Sequence, residues 1–299
     1  MKNITIQQFF KKFSSDEICL EHVMKARYGM SGTCHHCGKE TKYSRVKSQR
    51  AFACQWCGHH VYPCVGTPFE NSKTSLQLWF YAIYLFTTTR SGVAAKELER
   101  QLGVTYKCAW RMAHEIRKHM SNVNGNDKLS GIVQVDETYI GGAKQGKRGR
   151  GSENKTIVFA MLETGGDIIA EVVNDVKKAT LQPIIEANVE KGSEIHSDEL
   201  RSYKGLDQKG YNHETVNHSA GQYVNLENGS HVNGVENFWS HLKKAISGTH
   251  VHVSKEYLEN YVAEFEYRFN SRQTPQLMFD ELISSFSLVD KASSAREVE

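Results

Sequence analysis

The sequence predicts an α+β fold: a small cysteine-bearing module, a helical segment, and then a larger domain built on a mixed sheet. Three observations predict it. Cys34, Cys37, Cys54 and Cys57 form two C-x2-C pairs near the start of the chain. From about residue 75 to 120, apolar residues recur at helical spacing. Beyond residue 130, short runs of β formers alternate with turn signals and helical segments.

The bulk properties bound what these parts can do. At 299 residues there is chain enough for about two domains. No apolar run approaches the roughly 20 residues that span a bilayer, so no membrane role is expected. The start, "MKNITIQQFFKKFSS", lacks the apolar centre of a secretory signal, and a cytoplasmic protein is the expectation. The net charge of +3 hides an asymmetry. Residues 1–120 hold 18 Lys and Arg against 8 Asp and Glu, whereas the remainder holds 19 against 26. A basic first part and an acidic second part fit a polyanion-binding region joined to one that needs carboxylates. Clustering on solvated faces is the plainer alternative. Seven cysteines in a reducing compartment argue against a disulfide framework.

The two cysteine pairs have the spacing of a tetrahedral Zn²⁺ site. Gly38 and Gly58 each follow the second cysteine of a pair, where a tight turn needs positive φ. The alternating stretch between the pairs predicts a short hairpin, completing a zinc ribbon. Cys19, Cys64 and Cys108 have no partner spacing and read as small buried or neutral residues.

Leu76, Trp79, Phe80, Ile83 and Phe86 then mark a helix, with Thr74 as its expected N-cap and the aromatics as core. Ala94, Ala95, Leu98 and Leu102 mark a short second helix, and Gly103 a turn. A third helix starts near Thr105 and turns Ala109, Met112 and Ile116 inward. This pattern fits a helix-turn-helix, with Lys107 and Arg111 near the start of the recognition helix. A helical hairpin that is only scaffold is the alternative.

In the second half, Ile132, Val133 and Val135 lead along a strand to Asp136. "TIVFAML" and "DIIAEVV" flank the turn "ETGG" as a hairpin. A helix over "KATLQPIIEANVEKGS" precedes the short strand "EIHSD", which ends at Asp198. A later helix has Val235, Phe238, Trp239, Leu242 and Ile246 as its apolar stripe, flanked by Glu236, Ser240 and Lys243. Three carboxylates from separate elements can hold divalent cations for phosphodiester chemistry, and a nearby lysine can hold a phosphate. Acidic residues at strand ends are commonplace, so spacing alone does not single out this site.

Taken together, the ribbon cysteines, "VGTPFENSKTSLQLWFYAIYL", "VDETYIGG", "KRGRG", "HSDELRSY" and "HVNGVENFWSHLKK" resemble a family. It is the bacterial insertion-sequence transposases of the DDE type with an N-terminal zinc ribbon, the group related to the Merlin elements. The resemblance runs from about residue 5 to 275. It implies a ribonuclease-H-like catalytic domain, with Asp136, Asp198 and Glu236 as the acidic triad and Lys243 as the basic residue seven positions on. It also implies two Mg²⁺ (or Mn²⁺) ions on the triad, beside the structural Zn²⁺. "SDELRSY" departs from the family pattern by setting Glu199 beside Asp198. Glu137 should face the other side of the strand as a structural group. The basic loop with Lys144, Lys147, Arg148 and Arg150 is expected to grip DNA, a solvated loop being the alternative.

The expected organisation is a zinc ribbon with an N-terminal helix over 1–70, the helix-turn-helix region over 71–122, the catalytic domain over 123–285 and a disordered tail over 286–299. The expected function is a transposase that binds double-stranded DNA at element ends and at a target, as a homodimer or higher assembly, in a cytoplasmic, nucleoid-associated setting. The rivals are a DNA-binding regulator without catalysis and a ribonuclease-H-like nuclease that cuts without joining.

Overall fold

A computed structural model of the protein describes residues 4–123, 125, 127–141, 155–216, 224, 225 and 229–286. The chain forms two units, one of residues 1–123 with 274–299 and one of 124–273.

The first unit opens with α1 (Ile6–Lys12), closed by a capping box in which Thr5 and Gln8 exchange side-chain and backbone bonds. Ser15 caps α2 (Asp16–Arg27). Four strands follow, β1 (Ser31–Thr33), β2 (Glu40–Val46), β3 (Ala51–Cys54) and β4 (His60–Val61), each antiparallel to the next. The β2–β3 pair is the hairpin expected between the cysteine pairs. Next comes α3 (Leu76–Thr88), capped by Ser75 rather than Thr74. The hydroxyl of Ser75 accepts the Leu78 amide, whereas Thr74 lies one residue too early to reach it. Trp79, Phe80, Ile83 and Phe86 are buried, so this aromatic run is core. After α4 (Ala95–Leu102), Gly103 takes the left-handed conformation (φ 64°) that turns the chain into α5 (Tyr106–Val123). Ala109, Met112 and Ile116 face inward as their spacing requires.

The second unit is a three-layer arrangement around one sheet. Its elements are β5 (Ile132–Ile140), β6 (Thr156–Glu163), β7 (Ile168–Val173), α6 (Lys178–Asn188), β8 (Glu194–Ser197), β9 (Asn212–Thr215), α7 (Asn233–Ala245) and α8 (Leu258–Asn270). The strand order is β7-β6-β5-β8-β9. The first three strands form an antiparallel meander, and β8 and β9 run parallel to β5. This is the ribonuclease-H-like sheet. The alternation along β5 sorts its side chains. Val133 and Val135 pack with α6 residues and Tyr203 on one face, while Ile140 packs with α7 and α8 residues on the other.

The last described helix, α9 (Met278–Ser285), belongs to the first unit. Its Phe279 ring lies 5.4 Å from Phe13 and 5.9 Å from Phe80, and Phe286 lies 5.0 Å from Phe69. A catalytic domain running to 285 therefore does not match the contacts, because this apolar helix face completes the aromatic core of the other unit. Phe286, the first residue of the expected tail, is buried as well. The rest of that tail, and the loop carrying Lys144, Lys147, Arg148 and Arg150, lie outside the described residues. Among the described residues, no helix is long and apolar enough to cross a membrane.

Candidate active site

Two sites emerge, one in each unit. In the first, the cysteine pairs sit on matching knuckles. Gly38 N donates to Cys34 O at 2.8 Å and Gly58 N to Cys54 O at 3.0 Å, and both glycines have φ of 70°. The four sulfurs lie within 4.8 Å of one another. Cys34 Sγ is 3.8 Å from Cys57 Sγ, and Cys37 Sγ is 3.9 Å from Cys54 Sγ. A tetrahedron with metal–sulfur bonds of ~2.3 Å has edges of about 3.8 Å, so this donor set fits Zn²⁺.

In the second unit the parallel β5–β8 register sets the geometry. Ile132 pairs with Glu194, Val133 with Ile195 and Gln134 with His196. β8 ends at Ser197, so Asp198 follows directly after the strand that pairs with β5, and its charge reaches Asp136. The Asp198 carboxylate is fixed by its own turn, Oδ1 accepting the Leu200 amide at 2.9 Å. Asp136 is pushed up to about 7, first by burial, then by the charges of Glu137 and Asp198. Glu137 points to the opposite face, as the alternation requires, where it accepts a 3.0 Å bond from the buried Tyr203 hydroxyl.

Helix α7 is docked on this face at two points. Gln134, two residues before Asp136, accepts the Gly234 amide at 2.8 Å and the Val235 amide at 3.4 Å, so β5 caps the helix. Trp239 Nε1 donates to Asp136 Oδ2 at 3.0 Å. Glu236 lies one turn before Trp239 and Lys243 one turn after it. They are displaced along the axis in opposite directions, by about 4.5 Å and about 6 Å. The Lys243 ammonium lies in the field of Asp136, which raises its pKa, though partial desolvation wins and lowers it overall. Gly234 permits this close docking. A Cβ there would lie 2.8 Å from Leu162 Cδ2 and 2.9 Å from Gln134 Oε1, both on buried side chains.

Asp198 and Lys243 thus lie within the electrostatic reach of Asp136, whereas Glu236 is an exposed carboxylate one turn before Trp239 on α7. Among the described residues, the cysteines are the group of three or more whose ligand atoms crowd closely enough to hold an ion. Asp136, Asp198 and Glu236 do not form such a group.

The description of an ISXO2-like transposase domain matches residues 128–270, and that of a transposase zinc-ribbon domain matches residues 14–60. A transposase-like protein of Haemophilus influenzae is 38% identical over 102 residues, covering 34% of this chain and 80% of that protein. The chain belongs to the ISXO2-like transposase family. A protein in transposable element ISH50 of Halobacterium salinarum is 25% identical over 277 residues, which is 86% of the transposase and 92% of the relative. A pre-cleavage Mos1 transpososome aligns over 74% of this chain and 80% of its own, at 12% identity and a TM-score of 0.29.

The expected DNA-reading residues of the transposase fall on α5. Lys107 is exposed. The Arg111 guanidinium is engaged within its own unit, 5.3 Å from the Trp79 ring centroid and bonded to Ser72 Oγ at 3.3 Å. Sequence reasoning passed over Gln134, Gly234 and the polar end of Trp239. Gln134 carried a signal, being a lone polar residue in a β run and of the same parity as Asp136. Trp239 carried one too, lying between Glu236 and Lys243 on the helix.

Proposed function

We propose that this transposase cuts DNA at the ends of its element and joins the freed 3′-hydroxyl to a target, with Asp136, Asp198 and Glu236 as catalytic carboxylates. The observation that carries the reading is the β5–β8 pair, which bears Asp136 and leads directly into Asp198, under a helix bonded to Asp136 through Trp239. In the first step a water oxygen attacks the phosphorus and the bond to the 3′-oxygen breaks, leaving a 3′-hydroxyl. In the second, that oxygen attacks a target phosphorus and displaces its bridging oxygen. No covalent bond to the protein is needed.

The three carboxylates would hold two Mg²⁺ (or Mn²⁺) ions, which when bound neutralise phosphoryl charge and favour ionisation of the attacking hydroxyl. Lys243 would hold a non-bridging phosphate oxygen. Trp239 fixes one oxygen of Asp136, and Gln134 sets where α7 begins.

End recognition is assigned to the basic first 120 residues, with double-stranded DNA as partner and two copies on paired ends. Lys107 is the clearer phosphate contact. Lys107→Ala should lower the slope of log K against log salt by about 0.9. Arg111→Ala should instead destabilise the first unit, because its partners are Trp79 and Ser72.

The test incubates the full chain with Mg²⁺, duplexes bearing the sequences that flank its reading frame, and a plasmid target. Joined products support the proposal. Cut ends without joining point to the nuclease, and end-specific binding with no cutting points to the regulator.

A further inference from the structure

Helix α7 ends in an unusual way. Residues Ile246–His250 widen into a π turn, a feature frequent at functional sites. Val251 follows with φ 64° and ψ −52°, and His252 N donates to His250 O at 2.7 Å. This is a γ-turn of the strained kind, centred on a β-branched residue. Among the described residues, no other non-glycine has positive φ. Packing does not offset the strain, because Val251 is 81% exposed. An apolar side chain held out in solvent on a strained turn has the form of a wedge.

Val251 borders a cavity of about 260 Å³, whose lining includes Tyr139, Lys243, Ile246, His252 and Val253. The walls are largely apolar, with the ammonium and imidazole supplying polar groups. That volume is just below the ~300 Å³ at which ligand pockets usually start, a size for one ring system rather than a chain segment. Lys243 joins this cavity to the candidate active site.

We propose that the cavity receives a nucleobase turned out of the DNA stack beside the phosphate held by Lys243, while Val251 enters the stack in its place. The inference rests on the DNA-cleaving reading. Three groups would serve it: an apolar wedge to unstack a base step, a ring-sized apolar pocket with an aromatic wall for the base, and a cation for the adjoining phosphate. Unstacking would widen access to the backbone where Asp136 and Asp198 meet.

The test uses the full chain and end duplexes carrying 2-aminopurine singly at each nucleotide around the cut position. Wild type should brighten one position several-fold on binding. Val251→Gly keeps the turn, since glycine tolerates its φ, and should bind without brightening and cut about tenfold more slowly. A duplex lacking the base at that position should restore the variant's cutting to the wild-type rate. Val253→Trp, which fills the cavity, should also abolish the brightening. The proposal is overturned if wild type cuts with no position brightening, or if Val251→Gly brightens like wild type. It is also overturned if Val251→Gly alters only the oligomeric state, which would make the cavity a contact between copies. Failure of wild type to cut any end duplex would instead remove the DNA-cleaving reading, and the base with it.

Discussion

Asp136 sits where a carboxylate is uncomfortable: desolvation, then the charges of Glu137 and Asp198, raise it to about 7. A folded-state pKa above the unfolded value of ~3.9 makes its contribution to stability favourable at low pH and lost as pH rises through 7. Asp136→Asn removes that dependence and keeps an acceptor for Trp239. In metal-free protein the variant should therefore gain on wild type between about pH 4 and 7. By pH 7.5 the gain should reach ~1 kcal/mol or more, a rise in Tm of about 2–4 °C. Glu266, also raised to about 7, is common to both proteins and cancels in the comparison. Parallel Tm-versus-pH curves would contradict this account. Trp239 acts on the same residue from outside. Trp239→Phe keeps the buried ring but loses the bond to Asp136, so cleavage should fall about tenfold. The rising limb of its pH–rate profile should shift to higher pH, because the ionised carboxylate has lost a donor. A slower rate with an unmoved limb would assign Trp239 to packing alone. At this scale the sequence showed the charged residues but not their contacts. Trp239 reads as core from its spacing, and its indole N–H contact depends on a strand more than 100 positions away.

The elements were legible where a period was strong. The β5 run, the β6–β7 hairpin and the α7 stripe each follow from alternation or helical spacing. The β5–β8 pairing did not, because parallel register is set by a crossover and not by a local turn. The edge strand β9, "NHET", is too short and polar to signal itself. Docking of α7 depends on Gly234. Gly234→Ala should push the helix start off Gln134 and Leu162, costing ~1–3 kcal/mol. Glu236, two residues on, should move with it, so cleavage should be lost while end binding persists in a band-shift assay. Unchanged cleavage would show that the helix start has slack. The ribbon was legible outright, since two paired knuckles encode their own ligand set. Cys54→Ser should leave less than one zinc per chain by metal analysis and unfold the ribbon, since metal binding there is folding energy.

For the whole molecule, the unexpected feature is a first unit assembled from both ends of the chain. The α9 stripe of Met278, Phe279, Leu282 and Ile283 shows an amphipathic helix but not its partner, so sequence order alone assigned it to the neighbouring domain. Its contacts are with Phe9, Phe13 and Phe80, and His119 meets the Leu282 carbonyl at 2.8 Å. Phe279→Ala should therefore destabilise the first unit by ~3–5 kcal/mol, read as earlier melting with the zinc still bound at low temperature. A charge split between basic and acidic parts was visible in composition alone, and it now coincides with a ribbon-and-helix unit and a carboxylate-bearing sheet. The three carboxylates are tested most directly by cleavage and joining of paired element ends in Mg²⁺ by wild type, Asp136→Asn, Asp198→Asn and Glu236→Gln, with end binding measured alongside. All four proteins should bind ends alike, and only wild type should cut and join. A variant of Asp136 or Asp198 that cuts and joins at the wild-type rate would contradict the account.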